Sequence, residues 1–395
     1  MTDSLNLLDN QRFALMKFRK VMADSLQPHH NDQFLIRWLK ARNWNVEAAE
    51  KMLRNSLKWR KQWEVDKLVE YDEPEVMKKY GPHGICGFDK EGSPVIVVIF
   101  GEFDIYGTLH VITKKQLIKT VIKYLERYVK IADEQSKKHG FKAGQLTAIF
   151  DLEGFNLKPY LWRPATETIL TCLQLYEANY PEILKVCYLI NAPKVFSIGF
   201  SIAKKFLNDY TISKLHVFRP DPTKWKPAIL QQISPDQLPA CYGGTLKDPD
   251  GNPRLITKIC IGGKIPKEMY LDKVEESDES SEYTTVTIRK GDKIKLSLDS
   301  SEEGSILSWD FRTEDNDIKF GILKEDASGK MTEAVPFTKI NAHLLNEIGF
   351  LTCEKLAKYF VIFDNSYSIL KSKKIHYCIR MLPPTEEFSI TDAIE

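Results

Sequence analysis

The sequence predicts a multidomain chain with an N-terminal α-helical lead-in, an α/β domain with a mostly parallel sheet, and a C-terminal all-β sandwich. Three observations predict this order. Apolar residues recur at helical spacing over residues 1–80, strand and helix patterns alternate over 81–244, and apolar residues recur at every second position from 284 onwards. A chain of 395 residues is also long enough for two or three domains.

The N-terminal region, residues 1–80, is predicted to be a helical domain. Asn45 is a suitable N-cap because apolar residues follow it at helical spacing. Three tryptophans lie in a basic stretch, which is typical either of a bundle with a solvated basic face or of a basic face near an anionic lipid headgroup. These residues are Trp38, Trp44 and Trp59, among Arg37, Lys40, Arg42, Arg54, Lys58 and Arg60.

Residues 81–244 alternate between apolar strand patterns and helical patterns, which indicates βαβ units and a mostly parallel sheet. The predicted strands are Val95 to Phe100, Leu146 to Asp151, Val186 to Ile190 and Lys214 to Phe218, and the helical patterns include Leu117 to Tyr128 and Pro164 to Tyr176.

One predicted helix, Lys194 to Leu207, is unusually apolar. At 100° per residue its apolar side chains cover an arc of about 200°, roughly twice the stripe of an ordinary surface helix. Such a helix either lies deep in the protein or covers something apolar. Its narrow polar side holds Lys194, Ser197, Ser201, Lys204 and Lys205.

The composition changes after residue 244. Residues 245–283 are predicted to be a connecting segment, with an acidic loop at 272–282. Residues 284–383 are predicted to be a β-sandwich, followed by a tail at 384–395. Within the sandwich, Trp309 and Phe311 share one strand face and are predicted core residues. Asp364, Asn365 and Ser366 are predicted to form a turn.

The composition excludes several classes of protein. No apolar run approaches the roughly 20 residues that a membrane-spanning helix needs, and the N-terminus lacks the features of a secretory signal. The seven cysteines lack metal or redox spacing, which favours reduced thiols in a cytosolic protein. The net charge of +2 gives no general attraction for nucleic acid.

The sequence predicts no enzyme, no metal site and no cofactor. The nearest catalytic pattern runs from Gly199 through Ser201 to Ala203, but it lacks the final glycine of a nucleophile elbow and lies inside the apolar helix. His29 and His30 are expected to be a loop pair. Asp151 ends a strand, where a turn or cap role is favoured over catalysis.

Several strings resemble the CRAL-TRIO lipid-binding family, whose members enclose one hydrophobic molecule. They are FLIRWLKARNWNVEAAEKML (34–53), AIFDLEG (148–154), NYPE (179–182), INAPKVFS (190–197) and KKFLNDYTISKL (204–215). The late segment FVIFDNSYSILKSKKIHYCI (360–379) resembles the end of a Golgi-dynamics (GOLD) domain. The three parts in this order resemble the branch of supernatant protein factor and tocopherol-associated proteins.

The resemblance implies a closed lipid pocket between one sheet face and a gate helix that begins near Pro193. It implies that the apolar side of the gate meets lipid while its lysines meet anionic headgroups at a membrane. A permanently packed core helix is the alternative. The pocket and gate candidates are Leu146, Ala148, Phe150, Phe196, Phe200, Ile202 and Phe206, and the membrane-contact candidates are Lys194, Lys204 and Lys205.

The resemblance also implies a headgroup cluster of Arg42, Glu182 and Lys214, as in members that select phosphatidylinositol. This chain departs from their pattern, because Ile183 stands where they carry an arginine. Leu146, Ala148 and Phe150 replace hydroxyl side chains on the strand. The departures favour a neutral ligand such as tocopherol, squalene or a retinoid-like molecule. An internal ion-pair network is the alternative role for the cluster.

The sequence therefore predicts a cytosolic lipid-binding and transfer protein. It is expected to hold one hydrophobic small molecule or phospholipid and to associate transiently with membranes. The alternative is a membrane-traffic adaptor, in which the GOLD sandwich recruits a protein partner in Golgi traffic and the pocket is regulatory.

Overall fold

The computed structural model describes residues 7–271, 283–326, 328–343 and 346–382, apart from the Ile202 side chain. The described residues form two compact units, 7–156 with 167–271 and 157–166 with 283–382. The architecture confirms the predicted fold class: N-terminal helices, an α/β domain with a mostly parallel sheet, and a β-sandwich. The predicted acidic loop 272–282 and tail 384–395 lie outside the described residues.

The N-terminal helices pack around an apolar core that contains Phe18, Leu35 and Leu53. The Asn45 side chain accepts a hydrogen bond from the Ala48 amide at 2.9 Å, which confirms the predicted N-cap. Trp38 is buried in this core and Trp44 packs against it. The helices are α1 (Asp9–Val21), α2 (Asp32–Lys40), α3 (Val46–Trp63) and α4 (Glu75–Tyr80).

Much of the basic stretch is used in ion pairs with other helices. Arg37 pairs with Asp133 at 2.8 Å, and Arg60 binds Glu126 through two contacts of 2.8 and 3.0 Å. Arg54 pairs with Glu50 at 2.8 Å within its own helix. Arg37 and Arg60 therefore join the helical lead-in to the helix that carries Glu126 and Asp133, whereas neither predicted role of the basic stretch included such ion pairs.

The central sheet has five strands in the order β1-β2-β3-β4-β5, with β1 antiparallel to β2 and all other pairs parallel. β3 has the predicted bounds. β1 was not predicted, because its glycines interrupt the apolar pattern. A Cβ at Gly84 would lie 2.2 Å from the Lys258 carbonyl oxygen, so the close approach of that backbone requires glycine. The strands are β1 (His83–Phe88), β2 (Pro94–Val98), β3 (Leu146–Asp151), β4 (Leu184–Ile190) and β5 (Leu215–Val217).

The remaining helices are α5 (Ile105–Val111), α6 (Lys114–His139), α7 (Lys158–Leu161), α8 (Arg163–Asn179), α9 (Phe196–Ala203), α10 (Asp209–Ile212) and α11 (Pro222–Gln232). The single long helix predicted over 194–207 is wrong in extent. Eight residues are α-helical, and Lys204–Phe206 continue as a 3₁₀ turn. The helix ends because Asn208 caps α10, which requires an extended backbone there.

The two faces of the sheet are covered differently. On the outer face, Val97 and Ile149 pack in one cluster with Trp225 and Ile229 of α11. On the inner face, α6 covers the part near β2 and the start of β3, where Ile96 and Leu146 cluster with Tyr128 and Ala132. The sheet therefore has cover on both faces, as parallel sheets require.

Residues 245–271, which the sequence analysis placed in the connecting segment, pack within the first unit. Leu255 and Ile259 are buried in the outer-face cluster, and the Leu271 amide donates to the His110 carbonyl at 2.9 Å. This stretch is thus part of the α/β domain.

The second unit is a sandwich of two four-stranded antiparallel sheets, ordered β10-β9-β12-β7 and β11-β8-β13-β6. Trp309 and Phe311 are buried in its core, as predicted. Its identity as a GOLD domain stays a prediction. The strands are β6 (Thr284–Ile288), β7 (Lys293–Ser300), β8 (Ile306–Thr313), β9 (Ile318–Glu325), β10 (Met331–Ile340), β11 (Glu347–Thr352), β12 (Ala357–Asp364) and β13 (Lys373–Leu382).

A buried carboxylate ties the sheet of the first unit together. The Asp89 side chain has no solvent exposure, and one of its oxygens accepts hydrogen bonds of 2.9 Å from Thr147, Lys185 and Gln232. Burial alone would raise the pKa of Asp89, but the hydrogen bonds from Lys185 and Gln232 prevail and lower it. The carboxylate thus joins the β1–β2 turn to β3, β4 and α11.

We predict that Asp89→Asn lowers the free energy of unfolding by about 1–3 kcal/mol, because the Lys185 ammonium loses one of its two carboxylate partners and keeps only Glu91 at 3.1 Å. Folding lowers the pKa of Asp89, so the stability that its carboxylate contributes is fully present above pH 3.8, the ordinary carboxyl pKa. This stability is lost as the pH falls through the pKa that Asp89 has in the folded protein. Urea titrations from pH 7 downwards measure it. Glu70→Ala, at an exposed position, is the control; equal stability of Asp89→Asn and wild type at pH 7 would contradict the account.

Candidate functional site

Apolar side chains line the inner face of the sheet, both under α6 and beyond it. Leu146, Ala148 and Phe150 share this face, because Ile149 between them belongs to the outer-face cluster. On β5, His216 stacks on Tyr188 of the outer face with ring centroids 5.8 Å apart. Strand alternation then places half-buried Leu215 and Val217 on the inner face.

Helix α8 lies near the inner face of β4. Burial raises the pKa of Tyr176 on this helix, with smaller contributions from Glu177 and from Cys187 of β4. Burial also raises the pKa of the Cys187 thiol to about 12. Tyr176 packs against the inner-face cluster, and three further apolar residues of α8 are half-buried: Ile169, Leu170 and Leu173.

A chain of aromatic contacts joins the end of β3 to α9. The Phe100 ring lies 6.1 Å from Phe150 and 5.9 Å from Phe155. Phe155 lies 5.6 Å from Phe196 in an edge-to-face arrangement, and Phe196 lies 5.5 Å from Phe200. The structure thus brings three predicted residues, Phe150, Phe196 and Phe200, into one chain of aromatic contacts.

The other gate candidates do not take part in this chain of aromatic contacts, as far as the structure describes them. Phe206 is half-buried in the 3₁₀ turn, and the Ile202 side chain lies outside the described atoms. Lys194 and Lys205 are exposed and Lys204 is half-buried. The lysines are therefore placed at or near the protein surface, while Phe200 is buried.

The N-terminal end of the gate is held by a hydrogen-bonded asparagine. Asn191 has a left-handed backbone, with φ of 56°, and its amide donates to Asp151 Oδ1 at 2.8 Å. The same carboxylate accepts hydrogen bonds from the Glu153 amide at 3.0 Å and the Tyr242 hydroxyl at 3.1 Å. Asp151 therefore has the turn and cap role that the sequence predicts, and it fixes the chain where the gate begins.

The C-terminal end of the gate is held by a second asparagine. Asn208 caps α10 by accepting from the Thr211 amide at 2.8 Å, and its own amide donates to Glu177 of α8. The gate segment from Ala192 to Leu207 is thus fixed at both ends by side chains, with the short α9 between them. Glu177 was not singled out in the sequence, where nothing distinguishes it from a solvated helical glutamate.

The Glu177 carboxylate is unusual because it is only partly satisfied. Its Oε1 atom is buried and has no hydrogen-bond partner. Burial raises the pKa of Glu177, although hydrogen bonds from Thr211 and Asn208 and the charge of Arg42 act in the opposite direction. A buried acceptor without a donor is costly, so such an atom marks a position where a ligand hydroxyl could bind.

The predicted headgroup residues fall into two neighbouring groups. Burial raises the pKa of Glu182, opposed by a hydrogen bond from Tyr210 and by the charges of Lys40 and Lys214. Lys214 Nζ lies 4.6 Å from the centroid of the Tyr210 ring. The structure therefore brings Glu182 and Lys214 into one environment, without an ion pair within 4.0 Å between them.

Arg42 stands apart from that pair. Its side chain is exposed and donates to the Ala41 carbonyl at 2.7 Å, and its charge acts on Glu177 rather than on Glu182. The headgroup role of Arg42, Glu182 and Lys214, and the alternative ion-pair network, both stay predictions.

The remaining polar residues from the sequence analysis have local roles. Ser201 lies inside α9 and donates to the Ile198 carbonyl at 2.8 Å, far from any strand-to-helix turn. His30 accepts from the Gln27 amide at 3.1 Å, and burial lowers its pKa to about 4. In the described part of the chain, no helix combines the length and apolar character needed to cross a bilayer.

Comparison with known proteins agrees with this geometry. Residues 78–244 match the CRAL/TRIO domain family, and residues 14–55 match the CRAL/TRIO N-terminal domain family. The chain is similar to Protein ctg-1 of Caenorhabditis elegans, with 28% identity over 357 residues, which are 89% of this chain and 91% of that protein.

A second relative and one solved structure are also similar to this chain. CRAL-TRIO domain-containing protein T23G5.2 of Caenorhabditis elegans is 30% identical over 331 residues, 80% of this chain. The chain spans 44% of the length of that relative. The crystal structure of Sfh5 gives a TM-score of 0.51 with 17% identity, covering 69% of this chain and 94% of Sfh5.

Three features together define a class of protein that encloses lipophilic molecules. They are a helical lead-in, a sheet with an apolar inner face, and a helix that covers this face. The two domain matches show that the chain belongs to the CRAL-TRIO family, whose members bind and transfer lipophilic ligands. The likeness to Sfh5 supports the fold.

We predict that Asn191→Ala loosens the gate, because alanine tolerates the left-handed backbone poorly and cannot bond Asp151. Amide hydrogen exchange in residues 192–207 should accelerate by roughly 10-fold or more, corresponding to about 1–3 kcal/mol of local stability. Exchange in the sandwich should not change. Asn252→Ala, in a turn remote in sequence from the gate, is the control; unaltered exchange in 192–207 would show that Asn191 does not hold the gate.

Proposed function

We propose that the chain is a cytosolic carrier that sequesters one hydrophobic ligand between the inner sheet face, α8 and the gate, and exchanges it at membranes. The observation that carries the proposal is the set of half-buried apolar side chains on these three elements. They include Phe150, Leu173, Phe196, Phe206 and Val217. Membership of the CRAL-TRIO family supports the same role.

The energetics make an enclosed apolar site necessary for such a carrier. Exposing a lipid chain to water costs roughly 0.8 kcal/mol per methylene, so a sixteen-carbon chain costs about 13 kcal/mol. A carrier must offset most of this cost with apolar contacts and still release the ligand. A gate held by a few aromatic contacts and two fixed ends meets both requirements, because it opens without unfolding the sheet.

The polar groups favour a neutral ligand with a single hydroxyl, such as tocopherol, over phosphatidylinositol. The inner strand offers Leu146, Ala148 and Phe150 rather than hydroxyl side chains. Arg42 is exposed, and Glu182 already has Tyr210 as a hydrogen-bond partner. The buried Oε1 of Glu177 supplies one acceptor, which matches one donor on an otherwise apolar molecule.

Release requires a membrane encounter. We propose that α9 swings outward between Asn191 and Asn208, so that its phenylalanines meet acyl chains while exposed Lys194 and Lys205 meet anionic headgroups. Association is transient because the gate must close again over the sheet.

We predict that Phe196→Asp with Phe200→Asp reduces ligand transfer between liposomes at least about 100-fold, because charged side chains cannot enter acyl chains or seal an apolar site. Transfer of a fluorescent tocopherol between donor and acceptor liposomes measures it, and far-UV circular dichroism checks the fold. Val69→Asp, at an exposed apolar position, is the matched control and should transfer normally. Transfer at the wild-type rate by the double variant would exclude the gate.

We predict that Glu177→Ala weakens tocopherol binding about 5–10-fold more than it weakens squalene binding, the effect of one hydrogen bond, because squalene has no hydroxyl. Asn208→Ala is the control, since it removes the contact between Asn208 and Glu177 but keeps the carboxylate, and it should change the binding of tocopherol and squalene equally. Lys214→Ala should affect neither ligand. If instead Lys214→Ala abolishes phosphatidylinositol capture while Glu177→Ala leaves tocopherol binding intact, the ligand is a phosphoinositide.

A further inference from the structure

The loop between β12 and β13 presents two aliphatic side chains to solvent. Ile369 is 83% exposed and Leu370 is 85% exposed. Among the described residues these are the most exposed large apolar side chains, and they are adjacent at the end of one loop. A single exposed aliphatic side chain is ordinary, but two adjacent ones form a small apolar patch at the tip of the loop.

Hydrogen bonds close the loop that carries these two side chains. Asn365 is fully buried, and its amide donates to the Ile288, Arg289 and Lys371 carbonyls at 3.3, 3.2 and 3.0 Å. Ser368 donates to the Lys371 carbonyl at 2.9 Å. These bonds close the loop on both sides of Ile369 and Leu370, so the folded backbone presents both side chains to solvent.

The base of the loop is anchored by a buried charge network. Lys373 is 3% exposed and binds Asp317 at 3.0 Å and the Tyr367 hydroxyl at 2.7 Å. Tyr367 in turn donates to Asp317 at 2.9 Å. The network fixes the chain immediately before and after the exposed pair.

The hydrogen bonds of Asn365 place the β6–β7 turn beside this loop. Together the two loops carry three exposed cations, Arg289, Lys290 and Lys371. None of the three forms an ion pair within 4.0 Å in the described part of the chain. Two nearby carboxylates are engaged within their own turns, since Asp292 accepts from the Lys293 amide and Asp364 accepts from the Ser366 amide.

We propose that this end of the sandwich, defined by Arg289, Lys290, Ile369, Leu370 and Lys371, docks on an anionic lipid bilayer. The two aliphatic side chains enter the boundary between headgroups and acyl chains, and the three cations bind anionic headgroups. A protein partner fits less well, because two side chains at a loop tip offer far less area than a stable protein interface buries. This docking goes beyond the carrier function and does not depend on the pocket.

The test measures binding of the full chain to sedimenting vesicles of phosphatidylcholine, with and without phosphatidylserine. Ile369→Ser with Leu370→Ser should weaken binding to the anionic vesicles at least about tenfold. Arg289→Gln with Lys290→Gln and Lys371→Gln should weaken it on the order of 100-fold and leave binding to neutral vesicles unchanged. The wild type should lose the anionic preference as salt rises.

The chain offers a matched control at the opposite end of the sandwich. Lys355 and Leu356 are exposed and immediately precede β12, whose eight residues separate them from the proposed surface by about 26 Å. Lys355→Gln with Leu356→Asn changes the same residue types, and asparagine suits the positive φ of 58° at position 356. This variant should bind vesicles like the wild type.

Three outcomes would overturn the proposal. Both loop variants could bind anionic vesicles as the wild type does. The control could lose binding equally, which would indicate general charge attraction. The serine variant could keep vesicle binding but lose a stoichiometric protein partner, which would assign the loop to a protein interface. Thermal unfolding at the wild-type temperature verifies that each variant is folded.

Discussion

The carrier function that we propose depends most on the edge-to-face contact between Phe155 and Phe196. It links the gate to the turn after β3 through ring centroids 5.6 Å apart. An aromatic pair contributes only about 0.5–1.5 kcal/mol beyond its buried area, so the contact is strong enough to favour closure and weak enough to be exchanged for acyl chains. In the proposed mechanism the gate moves as a segment between the hydrogen-bonded residues Asn191 and Asn208.

The positions of the polar groups around the gate are explained by the cost of burying charge in an apolar site. An apolar site cannot contain unpaired charge without a large cost, and the structure places the charges at its margin. Asp151 is satisfied by three donors, and Glu182 shares its environment with Tyr210 and Lys214. Glu177 is the exception, with one oxygen partnered and the other buried alone. In the carrier function that we propose, ligand binding rather than folding explains why a glutamate stands at position 177.

The sequence predicted elements wherever local pattern and tertiary packing agree. β3 was located to the residue because its alternation faces α6 on one side and α11 on the other. The N-cap at Asn45 and the inward tryptophans followed from the same agreement.

β1 was missed, since Gly84 is there for a close backbone approach that no local pattern reveals. The length of α9 was overestimated, because Asn208 caps the next helix and ends the helical run. Glu177 could not be found from the sequence, because its significance lies in burial and in Asn208, 31 residues away.

The central claim is that the first unit encloses one hydrophobic molecule, and native mass spectrometry of the freshly purified full chain tests it most directly. The account predicts a species heavier than the 45.6 kDa chain by the mass of a single lipid. Solvent extraction should release that lipid, and incubation with liposomes should restore the heavier species. A chain that shows only its own mass, before and after incubation with liposomes, would contradict the account.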